Sequence, residues 1–108
     1  MTSALAADMC IAGRYRLQHE LGRGGMGVVW AAHQEDLGRD VALKILGASL
    51  EHDPRARARF EREARVASAL DHPGAVRVFE LGEHEGRLFL AMARVWGAPQ
   101  RARREVGP

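Results

Sequence analysis

From residue 15 to 21 the side chains alternate. Tyr15, Leu17, His19 and Leu21 fall to one side, while Arg16, Gln18 and Glu20 fall to the other. That is the two-residue period of a half-buried strand. The alternation stops at Gly22-Arg23-Gly24-Gly25-Met26-Gly27, where four glycines in six positions permit backbone conformations closed to other residues. Strand-forming residues resume at Val28-Val29-Trp30, so the glycines are expected to join two strands as a hairpin. A polar turn over 34–39 precedes a third strand over 40–46, in which Ala42 and Lys44 share one face and Val41, Leu43 and Ile45 the other.

The period then changes. Asp53-Pro54 offers an N-cap carboxylate followed by a proline at the first helical position. Ala56, Phe60, Ala64, Ala67 and Leu70 recur at helical spacing, and Asp71-His72-Pro73-Gly74 ends the run. Two more strands are predicted over 75–81 and 87–92, joined by Gly82-Glu83-His84-Glu85-Gly86. The predicted order is β-β-β-α-β-β with no internal repeat: an α+β fold, a five-stranded sheet with one helix. Residues 1–13 and 97–108 carry no trustworthy periodicity and are expected to be disordered, the latter as a basic tail, which leaves 14–96 as one small domain.

One helical position breaks the pattern. At about 100° per residue, Glu63 projects within about 60° of Phe60 and about 40° of Ala67, inside the apolar stripe. Arg55, Arg62 and Arg65 project from the opposite face. A carboxylate aimed at a sheet is costly unless a cation meets it. The neighbouring strand offers Lys44 on its inward face. Either the two pair, or Glu63 reaches off the edge of the stripe into water.

Lys44 stands out in the composition as well. The chain has 16 basic residues, and it is the only lysine among them. An ammonium is a compact point charge often used on phosphates, and here it follows a glycine-rich turn. At 108 residues, 46% hydrophobic and 28% charged, the chain reads as one globular domain rather than a disordered segment. Such a domain buries roughly two-thirds of its unfolded surface, which gives a real but thin core. A net charge of +2 is too small to argue for nucleic acid, and Glu61 and Glu63 interleave with the helix arginines. The single cysteine, Cys10, excludes a disulfide framework and suits a reducing cytoplasm. The longest apolar run, over 88–93, falls far short of the roughly 20 residues that span a bilayer. The five histidines lack metal-ligand spacing, so no metal site is expected.

Three kinds of phosphate-binding glycine loop compete for this segment. A P-loop needs Lys and Ser or Thr directly after its last glycine, where this chain has Val28-Val29. A dinucleotide fingerprint needs a helix to open at the glycines, and here a strand follows. The remaining arrangement is Gly22-x-Gly24-x-x-Gly27-x-Val29 between two strands, then Val41-Ala42-Leu43-Lys44, then a helix bearing a glutamate. With Arg59-Phe60-Glu61-Arg62-Glu63-Ala64 and Leu70-Asp71-His72-Pro73 in the same order, residues from about 15 to 92 resemble the N-terminal lobe of a bacterial, eukaryotic-like serine/threonine protein kinase.

The resemblance implies a kinase-like antiparallel N-lobe and a set of roles. The loop of Gly22, Arg23, Gly24, Gly25, Met26 and Gly27 would cover the ATP phosphates. Lys44 would hold the α- and β-phosphates, with Glu63 positioning it. Leu21, Val29 and Ala42 would sandwich the adenine ring, and Met92 would stand at the back of the pocket. Ala93 to Val95 would form the hinge, although the family usually has an acidic residue where Ala93 stands. The His-Arg-Asp loop and the Asp-Phe-Gly motif, which in this family supply the proton acceptor and the Mg²⁺ ligands, do not occur in the 108 residues. Two readings follow. One is the ATP-binding half of a protein kinase, a truncated piece inactive by itself that awaits a C-lobe. The other is a stand-alone, non-catalytic module that docks to a protein partner. With half the enclosing surface missing, ATP affinity is expected to be about millimolar.

Overall fold

A computed structural model describes residues 5–69 and 77–94. Among them the chain forms β1 (Cys10–Ile11), β2 (Tyr15–Arg23), β3 (Gly27–Gln34), β4 (Arg39–Leu46), a short 3-10 turn (Ala48–Leu50), α1 (Pro54–Ala69), β5 (Val78–His84) and β6 (Arg87–Ala93). The six strands make one antiparallel sheet in the order β1-β2-β3-β4-β6-β5. The α+β N-lobe architecture expected from the sequence is therefore present, with one strand more than the five predicted.

The extra strand lies in the segment expected to be disordered. Cys10 and Ile11 pair with Arg16 and Tyr15, and Ile11 is 1% exposed. Two residues are too few to show a period, so only the tertiary contact reveals them. Residues 97–108 lie outside the described residues, as do Leu70, the Asp71-His72-Pro73-Gly74 corner, Ala75, Val95 and Trp96.

The alternation read along β2 holds only to Leu17. A bulge between Leu17 and His19 and another between Glu20 and Gly22 shift the register, and each added residue turns the following side chains over. Tyr15 and Leu17 are buried while His19 is exposed. Gly82, expected in a turn, is instead a strand residue: a Cβ there would meet the Phe89 ring at 2.6 Å. The turn itself is Glu85-Gly86, with φ of 50° and 84°, the left-handed pair of a two-residue hairpin loop.

The sheet separates two apolar clusters. On one face, hereafter the inner face, Ile11, Tyr15, Leu17, Trp30, Ala32, Val41, Leu43, Ile45, Phe89 and Ala91 form a cluster. This face is closed by the sheet's own ends. Tyr15 Oη donates to Glu80 Oε1 at 2.5 Å, Arg14 pairs with the same carboxylate, and the Ala12 N–H donates to His84 Nδ1 at 2.9 Å. Strands at opposite ends of the sheet order thus meet through side chains, which requires the sheet to curl. On the other face Leu46, Leu88 and Leu90 pack against Phe60 and Ala64 of α1. Asp53 caps α1 as expected, its Oδ1 accepting from the Arg55 N–H at 3.0 Å and the Ala56 N–H at 3.4 Å. Arg57 then ties the helix to the β5–β6 turn, donating to the Gly86 carbonyl at 2.9 Å and to Glu83 at 3.0 Å.

Candidate functional site

β3, β4 and β6 lie side by side, so their register fixes which side chains share the α1 face. Gly22, Val29, Lys44 and Leu90 form one cross-strand row, and His19, Ala31, Ala42 and Met92 form the next. Side chains directly opposite in antiparallel strands point to the same face. Val29, Ala42, Lys44 and Met92 are therefore neighbours around one ammonium. Ala42 is buried, and Val29, Lys44 and Met92 are half-buried. Leu21, half-buried, sits in the second β2 bulge without a register partner.

Above this surface the hairpin carries Gly24, Gly25 and Met26 between β2 and β3. The Gly24 N–H donates to the Gly27 carbonyl at 2.9 Å, and the Gly47 N–H to the Met26 carbonyl at 2.8 Å. None of the loop glycines has a left-handed φ, so the special backbone conformations expected of them are not what the positions require. What they require is absent bulk. A Cβ at Gly22, Gly24 or Gly25 would meet nothing within 4 Å, whereas one at Gly27 would lie 2.0 Å from the Ile45 carbonyl oxygen. Gly27 is glycine so that β3 can approach β4, and the other three leave bare backbone facing open space. Arg23 is exposed and paired with Glu20 at 2.7 Å, while Met26 packs against the cluster beneath α1.

Lys44 and Glu63 do meet. Lys44 Nζ lies 3.5 Å from Glu63 Oε1, with the side chains 31% and 52% exposed. The ammonium also sits 5.8 Å from the centre of the Phe60 ring, in the range of a cation–π contact. The pair is open to water and long for a charge-assisted bond, so it is not the buried pair that the apolar stripe suggested. The reason is local: Glu63 lies at the stripe's edge, one step off the buried line of Phe60 and Ala64. An exposed pair of this kind contributes about 0–1 kcal/mol; it orients the ammonium more than it stabilises the fold. Ala93, at the expected hinge, donates its N–H to the Arg77 carbonyl at 2.8 Å.

Among the described residues no three His, Cys, Asp or Glu side chains come together to hold a metal ion, and no helix is long and apolar enough to cross a membrane. The surface as built offers a cation, bare backbone amides and an apolar wall, a combination suited to a phosphate ester carrying a flat apolar group. The sequence did not reveal the closure of the sheet by Arg14, Tyr15, Glu80 and His84, nor the Arg57 tether. Their partners are 65 or more residues apart for the closure and 26 or more for the tether, and no local pattern links them.

Comparison with known proteins points the same way. No protein-family model matches the chain. It is 50% identical over 97 residues to the serine/threonine-protein kinase PknJ of Mycobacterium tuberculosis, a match covering 90% of this chain and 16% of that protein. Serine/threonine-protein kinase pkn3 of Myxococcus xanthus is 47% identical over 88 residues, 81% of this chain and 16% of its own length. Among solved structures, the kinase domain of Mycobacterium tuberculosis PknI superposes with a TM-score of 0.68 at 36% identity, covering 86% of this chain and 37% of that domain. The chain thus spans about a sixth of the length of these curated relatives.

Proposed function

We propose, from a chain that carries the N-terminal lobe of a bacterial serine/threonine protein kinase domain, that its α1 face binds the nucleotide of a phosphoryl-transfer reaction. In this reading Gly22, Arg23, Gly24, Gly25, Met26 and Gly27 cover the phosphates of ATP, and Lys44 holds the α- and β-phosphates. Glu63 positions Lys44. Leu21, Val29, Ala42 and Met92 receive the adenine ring. One observation carries the proposal: the ammonium of the only lysine meets a helix carboxylate at 3.5 Å, on the face shared with Val29, Ala42 and Met92.

Transfer to a protein Ser or Thr needs a base for the hydroxyl proton and ligands for Mg²⁺. When bound, magnesium neutralises charge on the β- and γ-oxygens. The residues described here do not fit that ion, so no step is assigned to it. A polypeptide of these 108 residues is accordingly proposed to bind ATP without transferring phosphate, the remaining groups coming from a C-terminal lobe. The half-buried Cys10 agrees with a reducing, cytoplasmic setting for that work.

Calorimetric titration of the chain with ATP tests the proposal. The expected dissociation constant is about 1 mM, given a pocket enclosed on one side only, and Lys44→Met should weaken it at least tenfold, about 1.4 kcal/mol. Equal affinity in the wild type and Lys44→Met would remove the assigned role of Lys44. An absence of any nucleotide binding at 10 mM ATP, roughly ten times the expected constant, would favour a protein-docking module instead. Transfer of labelled γ-phosphate by the purified chain would overturn the division of labour between lobes.

A further inference from the structure

The turn between β1 and β2 holds a strained residue. Ala12 and Gly13 have φ of 54° and 73°, and only Gly13 adopts this conformation without a steric penalty. Ala12 has no polar side chain to offset the strain, yet its peptide groups are gripped on both sides. Its N–H donates to His84 Nδ1 at 2.9 Å, and its carbonyl accepts from Arg14 Nη1 at 3.0 Å. Arg14 is itself paired with Glu80. Both grips therefore end on β5, at positions 80 and 84, across the closure of the sheet.

A backbone N–H can only donate, so the His84 ring must present a lone pair at Nδ1 and carry its neutral-state proton on Nε2. We propose that His84 is a proton-operated latch on the N-terminal strap of residues 5–13. Protonation at Nδ1 sets a ring N–H against the Ala12 N–H; the hydrogen bond becomes a repulsion, and Ala12 loses one of the two side-chain hydrogen bonds to its peptide groups. The strap then lifts from the inner face, which Leu5, Met9 and Ala12 cover at its margin. The proposal does not depend on the nucleotide-binding role of the opposite face.

The surroundings allow the proton in. His84 lines a cavity of about 20 Å³ with Leu5, Met9, Ile45, Glu85, Arg87 and others, room for about one water molecule. The Glu85 carboxylate lies 3.7 Å from His84 Nε2. Arg87 stands opposite His84 in the hairpin, and Arg14 lies on the strap side. Glu80 is neutralised by Arg14 and Glu83 by Arg57 of α1. Histidine rings in general change charge between about pH 5 and 8, which sets the window to search.

Nuclear magnetic resonance on the full chain between pH 8 and 5 tests the latch. At pH 8 the His84 ring nitrogens should report a proton on Nε2 alone. As that ring titrates, the amide-exchange protection of Ala12 and Ile11, corrected for intrinsic rates, should fall at least about tenfold while the β3 and β4 amides stay protected. His84→Gln offers an amide oxygen to Ala12 at every pH, and its strap should stay closed at pH 5. A proton on Nδ1 at pH 8, or Ala12 protection that is unchanged through the His84 titration, would overturn the proposal. So would the same loss of protection in His84→Gln. The wild-type titration decides the matter even if that variant does not fold.

Discussion

The inner face and the α1 face of the sheet are made from alternate residues of the same strands, and they differ in how they are closed. Val41, Leu43 and Ile45 point inward to a cluster sealed by the first and last strands of the sheet. Ala42 and Lys44, interleaved with them, point to a face that α1 covers over Leu46, Leu88 and Leu90, with Met26, Val78 and Met92 packed against the same cluster. The inner face gains from excluding water, whereas the α1 face leaves an ammonium, bare backbone and a half-buried wall partly exposed. One strand serves both because its side chains alternate.

That contrast predicts a gradient of effects. Leu43→Ala, at a fully buried inner position, should cost about 2–5 kcal/mol, read by urea denaturation. A cost below about 1 kcal/mol would mean that the inner cluster does not carry the fold. Gly27→Ala comes next. Its Cβ would lie 2.0 Å from the Ile45 carbonyl oxygen, so β3 must move from β4 at about 1–3 kcal/mol. Gly25→Ala, with nothing within 4 Å, should change stability by less than about 0.5 kcal/mol while weakening nucleotide binding. Equal destabilisation by the two alanines would erase the distinction between a packing glycine and a ligand-facing one.

The closure itself should show in smaller effects. Tyr15→Phe removes the hydrogen bond to Glu80 and should cost about 1 kcal/mol by thermal melting. Burial, followed by the hydrogen bond to Glu80, pushes the Tyr15 hydroxyl up to about 12 from its ordinary 10.0. An acid whose proton is held more tightly in the folded state contributes stability below its unfolded value and loses it as pH rises. Wild-type stability should therefore decline between about pH 10 and 12, and Tyr15→Phe should lack that component. Identical alkaline profiles for the two proteins would place the hydroxyl outside the closure. Lys44→Met should also have a small effect on stability. With the pair half-exposed, its melting should move by no more than about 1 kcal/mol, although its proposed nucleotide binding should weaken at least tenfold. A loss of several kcal/mol would show the pair to be buried in solution.

Much of this could be read along the chain. The division of Val41, Leu43 and Ile45 from Ala42 and Lys44, the Asp53 cap and the meeting of Lys44 with Glu63 all follow from local period and spacing. The β2 bulges did not, because an inserted residue leaves no mark in composition. Nor did the role of Gly82, which depends on a ring in the next strand.

By itself the sequence determined the order of the main elements and which residues of a strand share a face, since these depend on neighbours a few positions away. Only the tertiary structure decided that residues 10 and 11 form a strand, that Glu80 and His84 close the sheet, and that the Lys44–Glu63 pair stands in water. The last two outcomes depend on groups brought together across 19 to 72 positions of chain, where curvature and burial, rather than spacing, set the distances.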